Sequence, residues 1–305
     1  MTSDTPSVPA PRRSRLPAWL RATRPKQWVK NVLVVAAPVA AGRVLDSSVL
    51  VPTLAAFVAF CLISASVYLI NDVRDAEADR VHPTKRFRPI AAGELSPKAA
   101  VSMAVLCALA ALGLSWWVTP MLSATIGAYW ALQVAYSLWW KHQPIIDLVM
   151  VSAGFLLRAI AGGVACDLML SQWFLLVASF GSLFVVAGKR YSEFKQLGAE
   201  AGTRASLERY SLSYLGMVWQ VSLAVVIVCY SLWAFDQAGH ALGVGWSAVS
   251  IAPFTLVLLR YAWAVDAGKA GEPEDVVLSD HVLQALAVCW VVPVLMAVFS
   301  ASLAQ

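Results

Sequence analysis

The sequence predicts an all-α membrane protein, with nine transmembrane helices around a central cavity that opens to the cytosol. The first observation is composition: of 305 residues, 59% are hydrophobic and only 13% are charged, and the mean hydropathy is +0.68. The second is distribution, because the charged residues are gathered into a few short stretches that separate long apolar runs. A water-soluble fold of this length needs a polar surface, so these observations exclude a soluble enzyme or a nucleic-acid-binding domain.

Nine apolar runs are long enough to cross about 30 Å of hydrocarbon. They occupy residues 27–43, 49–70, 97–118, 121–140, 145–166, 170–188, 213–235, 244–264 and 282–303. The first run has Lys30 and Asn31 in its opening turns. Before it, residues 1–18 are rich in Ser, Pro and Arg and no cleavable apolar signal follows them, so we expect a disordered cytosolic tail. Residues 19–305 are expected to form a single transmembrane domain.

The basic residues set the expected orientation. With nine spans and a cytosolic N-terminus, all but two of the 23 Lys and Arg residues lie on the cytosolic side. The exceptions are Arg43, on the opposite side, and Arg158, inside the fifth span. This pattern predicts a multi-pass plasma-membrane protein with an extracytoplasmic C-terminus, and it makes the net charge of +5 a topology signal rather than a sign of a nucleic-acid partner. Two long polar loops on the cytosolic side, about 71–97 and 189–212, are expected to carry the chemistry.

The first polar loop begins NDVRDAEAD. If the second helix continues into it, Asp72, Asp75 and Asp79 recur at i, i+3 and i+7 and share one helical face, with Asn71 one turn before the middle aspartate. Three like charges on one face repel one another unless a cation joins them. Oxygen ligands without His or Cys favour Mg²⁺, which is usually completed by substrate phosphates.

Three bases follow this acidic face: Lys85, Arg86 and Arg88. Such a group can clamp the phosphate oxygens that a metal ion leaves uncovered. Carboxylates followed closely by bases therefore predict a site for a metal ion and a polyphosphate.

The pattern N-D-x-x-D-x-x-x-D at a membrane exit, followed by R-P-I and Gly, resembles the UbiA superfamily of intramembrane prenyltransferases over nearly the whole chain. Within it, RPKQWVKN at 24–31, KRYSE at 189–193 and GEPEDV at 271–276 resemble the decaprenyl-phosphate phosphoribosyltransferases of actinobacterial cell-wall synthesis. The resemblance implies a Mg²⁺-dependent enzyme that moves 5-phosphoribose from phosphoribosyl pyrophosphate to a polyprenyl phosphate for arabinan and arabinogalactan synthesis. It makes residues 19–305 a catalytic domain.

The second polar loop differs from that of UbiA enzymes that use a prenyl diphosphate, which usually carry another Asp-rich motif there. This chain has Lys189, Arg190, Tyr191, Glu193 and Lys195, one carboxylate among three bases. The set suits an additional phosphate and sugar hydroxyls: Lys195 or Arg190 could hold the 5-phosphate while Glu193 accepts from ribose. An ordinary surface ion pair between Lys189 and Glu193 is the alternative.

Two further groups of polar residues lie in the spans. At the start of the first span Lys26 and Lys30 are one helical turn apart. We expect Lys26 or Lys30, with Asn31, to meet a lipid phosphate or pyrophosphate, unless these residues only anchor the helix at the interface. Arg158 must face protein or water, and we place it on the wall or floor of the cavity, with a bond to backbone carbonyls as the alternative. Asp147 lies about 16 Å from it along the helix axis, so direct pairing is not expected.

Some questions stay open at this point. Glu272, Glu274 and Asp275 suit either acidic support for the site or the first turn of a short helix. Two other functions also remain: a UbiA-type prenyltransferase that uses a prenyl diphosphate and an aromatic acceptor, and a transporter of anionic metabolites, although no inverted repeat is visible. The sequence does not fix the oligomeric state, and a homo-oligomer is one of the states it allows.

Overall fold

A computed structural model describes residues 16–140, 143–197, 209–239 and 245–303, and within these ranges the protein contains helices and connections but no strand. Of the predicted tail, residues 1–15 lie outside the described residues. The elements are α1 (Ala18–Ala22), a 3₁₀ helix (Pro25–Val35), α2 (Ala36–Ala40), α3 (Ser47–Arg74), α4 (Ala76–Val81), a second 3₁₀ helix (Lys85–Phe87), α5 (Pro97–Val118), α6 (Pro120–Ala135), a π-helix (Tyr136–Trp140), α7 (Ile146–Ala165), α8 (Gln172–Leu197), α9 (Leu212–Gly239), α10 (Trp246–Val249), α11 (Ile251–Asp266), α12 (Pro273–Ser279) and α13 (His281–Leu303).

Seven helical stretches in the described ranges are long and apolar enough to cross a membrane: α3, α5, α7, α8, α9, α10 together with α11, and α13. Each lies at a predicted span, which confirms the all-α membrane class. The span predicted at 121–140 consists of the 16-residue α6 and the five-residue π-helix that continues it. The count of nine spans and the cavity open to the cytosol stay predictions.

The first predicted span has a different structure from the one expected. Residues 27–43 do not form a continuous α-helix, because the 3₁₀ helix covers Pro25–Val35 and only the five residues of α2 are α-helical. Pro25 and Pro38 lack a backbone donor, and the β-branched valines between them lower α-helix propensity. In a 3₁₀ helix, residues i and i+3 share a face, so Lys26 and Lys30 are not aligned as predicted.

Close backbone packing holds this segment against α7. A Cβ added at Gly162 would lie 1.8 Å from the carbonyl oxygen of Val34. Only glycine allows the two backbones to approach so closely.

The described chain divides into two compact units. The first consists of Met1–Val32 and Leu54–Val134. Its core contains Leu69 of α3 and Ile90 of the polar loop, together with small residues of α1, α4 and α5. The polar loop therefore folds back onto apolar side chains of its own unit.

The second unit consists of Leu33–Thr53 and Ala135–Gln305. Within it α8 packs against α7 and α9, and α11 packs against α13. The connection after α11 is fastened to the end of α8: the Ser192 hydroxyl accepts from the backbone N–H of Ala270 at 3.2 Å, and the Gln196 amide donates to the Gly268 carbonyl at 2.6 Å. These bonds fix the connection that leads to Glu272.

The start of α3 is organised by Asp46. Its carboxylate accepts from the Ser48 hydroxyl at 2.6 Å, from the Ser48 backbone N–H at 2.8 Å and from Arg43 at 2.6 Å. These hydrogen bonds, led by that of the Ser48 hydroxyl, lower the pKa of Asp46 to about 2.

Candidate functional site

Helical hydrogen bonding continues beyond α3 into the first polar loop, as predicted. The backbone N–H of Asp75 donates to the Asn71 carbonyl at 2.9 Å, and that of Asp79 donates to the Asp75 carbonyl at 2.8 Å, with only a one-residue turn between α3 and α4. Asp72 and Asp79 are both buried, at 2% and 3% exposure. Two of the three predicted carboxylates thus face the interior of the first unit.

A single guanidinium joins these two carboxylates. Nη1 of Arg88 donates to Asp72 Oδ1 at 3.1 Å and to Asp79 Oδ2 at 2.6 Å. Nη2 of Arg24 donates to the same oxygen of Asp72 at 2.5 Å. Two negative charges are therefore balanced by two positive charges, as buried carboxylates require.

Sequence reasoning did not assign Arg24 to the site, although Arg24 opens the RPKQWVKN motif. Its backbone has a φ of 54°, a sparsely populated conformation for a residue other than glycine. Its guanidinium also lies over the ring of Tyr68, 5.0 Å from the centroid. The sequence feature that could have pointed to Arg24 is its position at the start of the motif, directly before Pro25.

Within the described residues, the three predicted metal ligands are not brought together as one group of three. Asp72 and Asp79 both accept from Nη1 of Arg88. Asp75 lies at the turn before α4, where it is half-buried. In the part of the chain that the structure describes, no three His, Cys, Asp or Glu side chains are grouped as metal ligands. Hard oxygen donors at one point fit a divalent cation held by two carboxylates.

The other predicted bases of this loop are more accessible. Lys85 is half-buried and Arg86 is exposed, with its guanidinium 4.9 Å from the centre of the Phe87 ring. The loop before them is shaped by His82, whose Nδ1 accepts from the backbone N–H groups of Thr84 and Lys85 at 3.2 and 3.3 Å. Burial, followed by the charge of Lys85, lowers the pKa of His82.

The three predicted residues of the first span point in different directions. Lys26 is exposed, Lys30 is half-buried and Asn31 is fully buried. The Asn31 amide donates to the sulfur of Cys61 in α3 at 3.3 Å. Asn31 therefore faces the interior of its unit, and contact of Lys26 or Lys30 with a phosphate stays a prediction.

The second group of predicted residues lies on a helix. We expected a loop from residue 189, but α8 continues to Leu197, and residues 198–208 lie outside the described residues. Pairs at i and i+4, such as Lys189 with Glu193, support helix formation beyond the apolar span.

Five alternating charges form what we call the ionic chain: Glu272, Lys189, Glu193, Arg190 and Asp147. Nζ of Lys189 lies 3.1 Å from Glu272 Oε2 and 3.7 Å from Glu193 Oε1. Arg190 donates through Nη1 to Glu193 Oε2 at 2.9 Å and through Nε to Asp147 Oδ2 at 2.9 Å. Side-chain exposure falls along the ionic chain from 61% at Glu272 to 0% at Asp147.

Asp147 is the site residue that sequence reasoning missed. It lies in the first turn of α7, where the helix dipole favours a carboxylate, and it accepts from the hydroxyl of Tyr136 in the π-helix. An acidic residue at the start of an apolar span needs a partner, and this requirement could have pointed to Asp147 from the sequence. Its partner is Arg190, not Arg158.

Tyr191 and Lys195 both contact the end of α11. The Tyr191 hydroxyl donates to a carboxylate oxygen of Asp266 at 3.4 Å, and Nζ of Lys195 donates to the Asp266 carbonyl at 2.5 Å. Tyr191 also lines a groove of about 480 Å³ with residues of α9, among them Gly216 and Gln220. Of these two side chains, Tyr191 lines this groove while Lys195 supports the connection after α11.

Arg158 is 5% exposed and donates to the Gly154 carbonyl of its own helix at 2.7 Å. Its guanidinium lies 5.6 Å from the centre of the Phe155 ring. The backbone contact named as the alternative is thus present, and contact with substrate stays a prediction.

Residues 32–283 match the model of the UbiA prenyltransferase family, so the chain belongs to this family. With its apolar helices, this makes it a multi-pass membrane protein.

Two relatives with about half of their residues identical to those of this chain share one name. It is 50% identical to the decaprenyl-phosphate phosphoribosyltransferase of Mycolicibacterium smegmatis, over 95% of each chain. It is 51% identical to the protein of the same name from Corynebacterium glutamicum, over 92% of this chain and 86% of that one.

Solved structures share the fold. A UbiA homologue from Archaeoglobus fulgidus, bound to GPP and Mg²⁺, superposes with a TM-score of 0.69 at 16% identity, over 92% of this chain and 98% of that one. This likeness independently supports the all-α membrane architecture.

Proposed function

We propose that this chain transfers 5-phosphoribose from phosphoribosyl pyrophosphate to a polyprenyl phosphate, such as decaprenyl phosphate, and releases pyrophosphate. The observation that carries the proposal is the identity of 50 to 51% to decaprenyl-phosphate phosphoribosyltransferases over at least 90% of this chain. The ionic chain supports it, because Lys189, Arg190 and the single acid Glu193 of α8 stand where an Asp-rich motif would be expected for a prenyl diphosphate. The product would serve cell-wall arabinan synthesis.

In the proposed reaction an oxygen of the lipid phosphate forms a bond to C1 of ribose while the bond from C1 to pyrophosphate breaks. The lipid phosphate is already ionised at pH 7, so it needs positioning more than deprotonation. Lys85, Arg86 and Arg88 neutralise the leaving pyrophosphate. Glu193 accepts from a ribose hydroxyl and stabilises positive charge at C1, and attack opposite the leaving group inverts that carbon.

Asp72 and Asp79 would hold Mg²⁺, with Asp75 adding negative charge nearby. The bound ion would supply charge neutralisation to the departing pyrophosphate. Arg88, which now bonds both carboxylates, is then available for phosphate oxygens.

The acceptor would enter from the membrane, with its phosphate at the cytosolic face near Lys26 or Lys30 and its polyprenyl tail in the bilayer. This requires the polar loop after α3 to be cytosolic. A cysteine introduced at Pro83, in a variant without the five native cysteines, should then be labelled only by reagents that reach the cytosol. Labelling from outside would reverse the proposed orientation.

A donor screen on the purified protein in detergent tests the function. With polyprenyl phosphate and Mg²⁺ present, we expect pyrophosphate release from phosphoribosyl pyrophosphate and none from a prenyl diphosphate. Release from a prenyl diphosphate with an aromatic acceptor would instead identify a prenyltransferase. Uptake of anionic metabolites into vesicles without any release would identify a transporter.

A further inference from the structure

We propose that the buried Asp147 is a positioning residue for the transfer reaction: it fixes Arg190, and through Arg190 it orients the carboxylate of Glu193. The inference rests on the proposed function, because that reaction gives Glu193 its task at the ribose. It assigns a role to a carboxylate that lies 43 residues before Arg190 in the sequence.

The hydrogen bonds of Arg190 use two edges of its guanidinium. Asp147 takes one edge with two bonds, from Nε at 2.9 Å and from Nη2 at 3.3 Å. Nη1 donates to Glu193 on the other side at 2.9 Å. Because the guanidinium is planar and rigid, holding one edge sets the direction of the other.

Asp147 is itself held firmly in place. It is fully buried and accepts a hydrogen bond from the Tyr136 hydroxyl. Two residues earlier, Ile145 has a backbone φ of 66°, and its backbone N–H donates to the Tyr210 hydroxyl at 2.6 Å. A buried carboxylate that lost Arg190 would leave an uncompensated charge, so Arg190 is retained on Asp147.

This arrangement changes the expected role of Arg190. The Arg190 side chain is 3% exposed, and both edges of its guanidinium are bonded to carboxylates. Arg190 therefore supports Glu193 and does not bind the 5-phosphate. Glu193 is 19% exposed, and its other oxygen lies 3.7 Å from Lys189. Glu193 is therefore the partly exposed carboxylate that the buried pair presents to substrate.

A double-mutant cycle tests the inference. The variants are Asp147→Asn, Glu193→Gln and the double variant, each measured for kcat and KM with phosphoribosyl pyrophosphate at equal amounts of folded protein. If Asp147 acts through Glu193, each single change lowers kcat by about 10-fold or more with little change in KM, and the double variant loses no more than about twofold beyond Glu193→Gln alone. A double loss equal to the product of the single losses would overturn the positioning role.

A matched control and a milder variant complete the design. Asp280→Asn removes the carboxylate of another ion pair in the same unit, with Arg260 at 2.8 Å, and should change kcat less than about twofold. If Asp147→Asn does not fold, Tyr136→Phe removes a hydrogen bond from Asp147 but keeps its charge, and it enters the same cycle with Glu193→Gln.

The two proposals fail in different ways. A wild-type protein that gives no transfer from phosphoribosyl pyrophosphate refutes the proposed function, and this inference with it. An active wild type whose cycle is multiplicative refutes the positioning role alone.

Discussion

Replacing Asp72 by Asn should destabilise the protein more than the same change at Asp79. Among the described residues, the Asp72 carboxylate accepts from two arginines, whereas that of Asp79 accepts from Arg88 alone. A hydrogen bond to a charged group contributes about 1.5–3 kcal/mol and a neutral one about 0.5–1.5, so each bond that loses its charge costs about 1 kcal/mol. The expected losses are thus at most about 2 kcal/mol at Asp72 and about 1 kcal/mol at Asp79, because the arginine side chains are 28% exposed and a buried amide costs less to desolvate than a buried carboxylate.

The assay has two parts. Thermal unfolding in detergent without ligands gives the order of stability, and turnover against Mg²⁺ concentration, at equal folded protein, gives the effect on the reaction. Turnover of Asp72→Asn should fall by about 100-fold or more, since charge develops on the leaving group in the transition state. The reasoning is refuted if Asp72→Asn is as stable as Asp79→Asn. Wild-type turnover that survives EDTA would refute the metal assignment.

Three further predictions follow from single contacts. Gly162→Ala should lower the unfolding temperature, because its Cβ would overlap the Val34 carbonyl oxygen, whereas Gly113→Ala, which meets open space, should leave it unchanged or raise it; equal stability of the two variants would contradict the packing. Arg158→Lys should insert normally but lose turnover or substrate binding, and a stable, fully active Arg158→Leu would exclude the residue from the site. Asp46 has a pKa lowered from 3.8 to about 2, so its stabilising effect is present above pH 3.8 and lost as the pH falls toward 2. The unfolding temperatures of wild type and Asp46→Asn should therefore converge as the pH falls over that range. Curves that stay parallel would contradict this role of Asp46.

The membrane helices were predictable because long apolar runs have few alternatives. The acidic face was also predictable, since the i and i+7 spacing of Asp72 and Asp79 requires only that helical hydrogen bonding continues. The 3₁₀ helix was not predictable, because its close approach to Gly162 depends on tertiary packing. Local spacing contains no information on such an approach.

The pairing of charges was the least predictable feature. Arg24 lies 48 residues before Asp72, and Asp147 lies 43 residues before Arg190. Each pair depends on segments that meet only after folding. A single sequence shows that a buried charge needs a partner, but it does not identify the partner.

The balance of charge around Asp72 and Asp79 has a consequence for how the protein is made. Arg24 and Arg88 act as internal counterions, so the polypeptide can insert and reach its folded state before any divalent ion is available. Chelation should therefore be reversible: treated protein keeps its unfolding temperature and regains full turnover when Mg²⁺ is restored. A metal ion that must displace a guanidinium binds weakly by itself, so under the proposed function it would arrive together with the pyrophosphate it neutralises.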